Sequence, residues 1–327
     1  MTVRVAVIGM GAPFRHLPAL AHIPGATLVA LCDIDEARLR EASRTYGVQA
    51  TFTDYRAMLE RVAADAVYVL PSVLRTVEVA TDCLERGFHV FVEKPPGIRA
   101  QQTRDLARLA RQRDLISMVG FNRRFHPLVT AARAVVARNG RPSSMIAEWW
   151  KPLLMEDMGK AFPPGVLERL LSATTIHSVD VLRFLGGEVD EILAVAGSFF
   201  SPYVDATYAL LRFRKGGVGV LLSDYHTTKV ERLQIHGQGV LVELIGMNHP
   251  YREGRVFENG QWNDLVVPSG ERTDPDGFFE EDQHFIACVG AGKPVGPLAA
   301  DLEDAVRTME LAEAIEAAAR PGWEAPR

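Results

Sequence analysis

Cysteine is scarce in this chain: Cys32, Cys83 and Cys288 are the only three in 327 residues, and they stand far apart. No pair has the spacing of a zinc site or a redox couple, which argues against a disulfide framework or a thiolate-held metal and fits a reducing compartment. No charge of one sign dominates either. Thirty-six Lys and Arg against 41 Asp and Glu leave a net charge of -5, which offers no electrostatic footprint for nucleic acid or an anionic membrane. The sequence lacks an apolar run long enough to span a bilayer and lacks the basic and apolar regions of a signal peptide, so a cytoplasmic protein is expected. It has no internal repeat, no low-complexity segment and no G-x-x-x-x-G-K-[ST], so a triphosphate P-loop is not the reading. None of the nine histidines has metal-ligand partners at useful spacing, and "EEDQH", 280 to 284, reads as a solvated helix face. No metal is expected.

What is present is ordinary in composition, 47% hydrophobic and 24% charged, and long enough for two cores rather than one. From residue 3 to about 120, short β-rich runs alternate with amphipathic helices, the pattern of a parallel sheet with crossover helices. Strands read at 3 to 9, 27 to 32, 65 to 70, 88 to 93 and 115 to 119. Helices read at 35 to 46, 74 to 86 and 99 to 113, with Asp35 capping the first, and Gly47 and Gly87 closing the first two. After Gly120 a helix near 127 to 138 precedes strand-like runs at 143 to 151, 188 to 199, 205 to 214, 218 to 224, 229 to 236 and 240 to 245. "RKGG" at 214 to 217 and "ENGQ" at 258 to 261 are hairpin turns, and helices follow near 166 to 185, 277 to 290 and 301 to 319. The reading is an α/β Rossmann domain, a doubly wound parallel sheet, over residues 1–121. A C-terminal α+β domain with an open, mainly antiparallel sheet covers 122–327. Large apolar sheet faces rarely stay bare, so this second domain is expected to bind substrate and to pair with another subunit as a dimer or tetramer.

Two stretches carry the chemistry. "HVFVEKPPG", 89 to 97, ends a buried-strand run in Glu93, Lys94 and two prolines. A lysine there is costly unless it sits at the strand's carboxyl end, where open α/β sheets place their ligands; alone, it reads more simply as a surface lysine closing a strand. "GMGAPFRH", 9 to 16, supplies through Gly9 and Gly11 the G-x-G that lets a backbone turn tightly and approach a pyrophosphate. The third glycine is missing, Phe14 occupies its position, and Pro18 sets the helix start late. The turn is answered 24 residues after Gly9 by Asp33, whose carboxylate suits both ribose hydroxyls and repels a 2′-phosphate. NAD is favoured over NADP, with Arg15 and Arg38 placed to tolerate the extra phosphate. Cofactor contacts are expected from Gly9, Gly11, Ala12, Phe14, Asp33, Pro71, Glu93 and Lys94.

These pieces in this order resemble the Gfo/Idh/MocA family of nicotinamide-dependent sugar oxidoreductases, and the similarity spans the chain. "HVFVEKPPG" is similar to the family's Glu-Lys-Pro motif, "MVGFNRRFHP" (118 to 127) to its domain-junction segment, and "IHSVDVLRFLGG" (176 to 187) to its catalytic-histidine helix. "EDQHFIACVGAGKP" and "DLEDAVRTMELAEAIEAA" resemble its carboxyl-terminal end. The sequence also departs from the pattern. Ala173 stands where family members usually carry an aspartate four residues before the histidine, Thr175 where a glycine is expected, and Arg75, read here as a loop cap, where histidine is usual.

The resemblance implies hydride transfer between a sugar carbon and nicotinamide, in which the protein positions the partners and moves one proton. Lys94 would donate a hydrogen bond to the reacting oxygen and stabilise its alkoxide character, with burial and the nicotinamide charge lowering its pKa. His177 would carry the proton. Asp180, one turn on, would orient the imidazole, or else be a helix-surface carboxylate or pair with Arg183. Substrate contacts are expected from Asn122, Arg123, Arg124, Trp149, Lys151 and His177, with Tyr225 and His226 behind them. Alternation lets only one of Trp149 and Trp150 face the site, and core or interface packing is their other role. The reading is an NAD-dependent dehydrogenase or reductase acting on a sugar, polyol or sugar derivative. Two alternatives stay open: glycosidase-type oxidation and elimination without net redox change, and a degenerate dinucleotide-binding sensor or partner protein, which Ala173 favours.

Overall fold

As a computed structural model, the structure describes residues 2–11, 15–152, 162–247, 250–267 and 274–324. The chain divides into two compact units, Met1–Asn122 with Gly277–Arg307, and Arg123–Asp276 with Thr308–Arg327.

The first unit is built on six parallel strands: β1 (Val3–Ile8), β2 (Ala26–Cys32), β3 (Thr51–Phe52), β4 (Ala66–Val69), β5 (His89–Val92) and β6 (Ser117–Val119), in the order β3-β2-β1-β4-β5-β6. Val67, Tyr68 and Val69 of β4 and Val90, Phe91 and Val92 of β5 are fully buried, as strands covered on both faces must be. Helices α1 (His16–Leu20), α2 (Glu36–Tyr46), α3 (Tyr55–Arg61), α4 (Val73–Glu85) and α5 (Ala100–Gln112) lie between the strands. The α2 caps are those expected, with Asp35 accepting from the Ala37 and Arg38 N–H groups and Gly47 closing at φ 69°. Because β1 lies between β2 and β4, the winding reverses there, and the carboxyl ends of these strands form the crevice where doubly wound sheets bind ligands.

The second unit is a mixed, mostly antiparallel sheet ordered β14-β13-β12-β11-β7-β10-β9-β8-β15. Its strands are β7 (Ser144–Trp150), β8 (Val189–Ser198), β9 (Ala206–Phe213), β10 (Val218–Asp224), β11 (Val230–Gly237), β12 (Val240–Met247), β13 (Glu253–Glu258), β14 (Gln261–Asp264) and β15 (Ala319–Glu324). Among the described residues, only β7 with β10 and β8 with β15 pair in parallel in this sheet. Alternation buries Met145, Ala147 and Trp149 of β7 opposite Ile235, Leu233 and Glu231 of β11. Helix α6 (Pro127–Arg138) packs on β11 and β12. The single helix expected over 166 to 185 is interrupted: α7 (Pro164–Leu167) gives way to a π turn at Leu171–Thr175 and then to α8 (Ile176–Gly186). α8 packs on β7 and β10, and a Cβ on either Gly186 or Gly219 would strike the Phe213 ring that seats it. On the opposite face Leu193 and Leu210, cross-strand neighbours, are 60% and 43% exposed. The Asn259-Gly260 turn between β13 and β14 has both residues at positive φ, as a two-residue hairpin loop requires.

Sequence continuity assigns 277–307 to the second domain, whereas contacts join them to the first. α9 (Phe278–Ala291) explains the difference. Its Phe285 is fully buried against Tyr68 and Phe91, and its Asp282 meets His16 of α1 at 2.8 Å. "EEDQH" is therefore not a solvated face, since Glu281 and Asp282 are fully buried. Beyond α9, Ala300 bridges Val119 at the end of β6. α10 (Leu302–Ala318) follows, and its residues from Thr308 onward belong to the second unit. Among the described residues no helix is long and apolar enough to cross a membrane, and no cluster of His, Cys, Asp and Glu could hold a metal ion.

Candidate active site

At the carboxyl end of β1 the chain turns at Gly9 with φ 89°, and a Cβ there would lie 2.5 Å from the Leu70 carbonyl oxygen and 2.6 Å from the Pro71 nitrogen. Only glycine lets this turn pass so close to the end of β4. A Cβ on Gly11 would meet nothing within 4 Å among the described residues. Asp33 ties the turn down: its Oδ2 accepts from Met10 N–H at 2.5 Å and its Oδ1 from Asp35 N–H at 2.8 Å. Each oxygen keeps a lone pair for a ribose hydroxyl. A glycine turn, an acid at the end of β2 and the Pro71 edge of β4 could together hold an adenine dinucleotide. Ala12 and Phe14 lie outside the described residues. Arg75 lies in the first turn of α4, exposed, and pairs with Glu78 at 3.1 Å instead of capping the loop before it. Glu93 and Lys94 follow β5 at the same sheet edge, both half-buried.

In the second unit His177 sits in the first turn of α8 and is buried. The π turn before it is pinned by its own side chains. Thr174 Oγ1 donates to the Leu170 carbonyl at 2.9 Å, and Thr175 Oγ1 exchanges hydrogen bonds with Ser223 Oγ at 2.8 Å and Tyr225 OH at 2.6 Å. Thr175 thus ties the turn to the end of β10, and Tyr225, fully buried, acts as its anchor. An extra residue in a helical turn re-aims the side chains that follow, which is why such turns recur at functional sites. Ala173 buries only a methyl group.

Trp149 lies beside the histidine with ring centroids 6.0 Å apart, and Lys151 Nζ lies 4.0 Å from the centre of the indole ring. Trp150 faces the other way and donates to Glu148 at 2.8 Å. Lys151 Nζ donates to Glu231 Oε1 at 2.7 Å, and Arg123 Nη2 donates to Glu231 Oε2 at 3.1 Å. Burial pulls the Lys151 ammonium down to about 8 even though the Glu231 carboxylate favours its charge. Burial also works against the Glu231 charge, but Arg123 and Lys151 outweigh it and hold that carboxyl at about 2. The result is a fixed anion holding a lysine with a pKa of about 8 over an indole whose neighbour is the His177 imidazole. Such a set can grip hydroxyls and pass a proton.

The remaining expectations fare differently. Asp180 is fully buried and accepts from Arg124 Nε and Nη2 at 2.8 and 2.6 Å and from Thr308 Oγ1 at 2.9 Å. Its carboxylate is engaged in the core by Arg124 and Thr308, and Arg183 binds Glu188 at 2.8 Å. Arg124, 2% exposed, is thereby committed to the core instead of a substrate, and Asn122 is buried as well. His226 pairs with Asp224 at 3.2 Å. Glu231 escaped the sequence reading, although the β11 alternation that turns Leu233 and Ile235 inward was signal enough to find it.

Comparison with known proteins adds the lineage. Residues 3–121 match the model of an oxidoreductase family with an NAD-binding Rossmann fold, and residues 130–241 match that of the GFO/IDH/MocA C-terminal domain. The chain is 28% identical to myo-inositol 2-dehydrogenase of Thermotoga maritima, over 89% of each chain. It is 25% identical to the NAD(+)-dependent scyllo-inositol 2-dehydrogenase of Bacillus subtilis, over 94% of this chain and 92% of that one. An oxidoreductase from Agrobacterium radiobacter, solved with NAD+, L-tartaric acid and magnesium, shares the fold at a TM-score of 0.81 and 19% identity, covering 98% of this chain and 96% of its own.

Proposed function

Because the chain belongs to the Gfo/Idh/MocA oxidoreductases, NAD(P)-dependent enzymes acting on CH–OH groups, we propose that it interconverts a hydroxyl and a carbonyl on a sugar, polyol or sugar derivative. Lys94 and His177 act on the reacting oxygen. The observation that carries this reading is the buried set of His177, Trp149, Lys151 and Glu231, a site with an apolar face and polar groups of the kind sugars use. The relatives' names, two inositol dehydrogenases, support a polyol of that size.

Bound NAD supplies the hydride acceptor. His177 takes the hydroxyl proton, the Lys94 ammonium donates a hydrogen bond to the oxygen as it gains negative charge, and Trp149 packs the apolar face of the ring. Lys151, held by Glu231, donates to a neighbouring hydroxyl, and Arg123 steadies Glu231 from behind. Asp33 favours NAD over NADP. The sheet face of the second unit that carries the exposed Leu193 and Leu210 is a pairing surface for a second copy of this chain.

The test is NADH accumulation with a panel of polyols that includes myo-inositol and scyllo-inositol. Lys94→Ala and His177→Ala should each lower turnover by roughly 100- to 10,000-fold, with NAD affinity nearly unchanged. Substrate breakdown without NADH release would move the reading to glycosidase-type chemistry. Ala173 favours a non-catalytic sensor, and NAD binding with no turnover on any substrate in the panel would be its mark.

A further inference from the structure

His16 opens α1, immediately after the cofactor turn, and is 2% exposed. Its Nδ1 lies 2.8 and 3.1 Å from the two oxygens of Asp282, a fully buried acid delivered by α9. Its other nitrogen, Nε2, lies 3.5 Å from Glu93 Oε2. The rings of Tyr68, Phe91 and Phe278 surround it at centroid distances of 5.7, 4.9 and 5.2 Å. A neutral imidazole would turn one lone pair toward a carboxylate, whereas an imidazolium donates to Asp282 and faces Glu93 with its other N–H at ion-pair distance. Burial opposes that charge, but Asp282 and Glu93 outweigh it and raise the His16 pKa well above the usual histidine range.

Glu93 has little freedom of its own. Its N–H donates to the Val69 carbonyl at 3.0 Å, and a Cβ on Gly120 would come within 2.7 Å of its Oε2. The carboxylate is thus confined between Gly120 and His16, one residue before Lys94. We propose that His16, clamped between Asp282 and Glu93, is a positioning residue that fixes the Glu-Lys-Pro turn and with it the Lys94 ammonium. The inference rests on the reading of Lys94 as the group at the reacting oxygen.

The experiment labels amines with trinitrobenzenesulfonate, with and without NAD, and follows Lys94 by peptide mass spectrometry. With NAD at ten times its Kd, Lys94 in the native protein should be protected about tenfold. In His16→Gln that protection should be largely lost while NAD still binds by calorimetry. Asp282→Asn, which keeps the shape of the acid, should behave alike and serves if the first variant does not fold. Native-like protection in a folded variant overturns the proposal. If NAD fails to protect Lys94 even in the native protein, the Lys94 reading falls separately. The labelling rate without NAD then decides for His16, because a rate unchanged by either variant overturns its role. Nitrogen NMR of the native protein should show both His16 ring nitrogens protonated near neutral pH, and a neutral ring overturns the clamp.

Discussion

Arg124 and Asp180 form a two-pronged ion pair, Nε to Oδ2 at 2.8 Å and Nη2 to Oδ1 at 2.6 Å, sealed from solvent on both sides. Removing one charge leaves the other bare in the core. Asp180→Asn should therefore destabilise the protein by about 3–5 kcal/mol in urea unfolding, while the pH profile of turnover in the folded fraction stays as in the native enzyme. A stable variant with a displaced profile would return Asp180 to the service of His177.

Glu231 makes the protein sensitive to acid in a defined window. Its folded pKa of about 2 lies below the ordinary 4.5, so its contribution is complete above the ordinary value and disappears as pH falls toward the folded one. Glu231→Gln should lose on the order of 3 kcal/mol at neutral pH and flatten the acid limb of stability against pH. Denaturant titrations across that range measure both. Parallel curves for the two proteins would show that the carboxylate carries no such linkage.

Asp33 should decide cofactor choice. In Asp33→Asn the side-chain oxygen can still accept from Met10 N–H, but the charge that repels a 2′-phosphate is gone. The NAD-to-NADP affinity ratio should fall about tenfold, the scale of one charge-assisted hydrogen bond. Calorimetry with each dinucleotide reads it, and an unchanged ratio would remove Asp33 from the ribose.

Leu193 and Leu210 face each other across β8 and β9 on the sheet face opposite α8. Replacing both with glutamate should lower the mass measured by light scattering to that of a single chain and leave the monomer folded. If the mass does not change, the subunits do not meet on that face.

The Rossmann half was legible because strands covered on both faces read as unbroken apolar runs, and because Gly9 stands where a tight turn needs it. The antiparallel half announced itself through alternation and the Asn259-Gly260 turn. What stayed hidden depended on contacts that sequence does not order. Asp282 and His16 are 266 positions apart, and an acid on a helix is written the same whether it faces water or a buried imidazole. Arg124 and Asp180 each looked available because neither residue's nearest charge in sequence is its partner in space. The two-residue strand β3 is too short to leave a periodic signal. The extra residue of the π turn leaves the apolar character of 166 to 185 unchanged, so no break was visible there.

That extra residue sets a constraint on how the region can diverge. Each helical residue advances the chain by about 100° around the axis, so shortening Leu171–Thr175 by one would swing His177 away and bring Ser178 toward its bearing. α8 cannot rotate to compensate, since Ile176 through Arg183 are buried all the way around. Side chains in this stretch can be exchanged, as Ala173 and Thr175 illustrate, but single-residue insertions and deletions are the changes it cannot absorb.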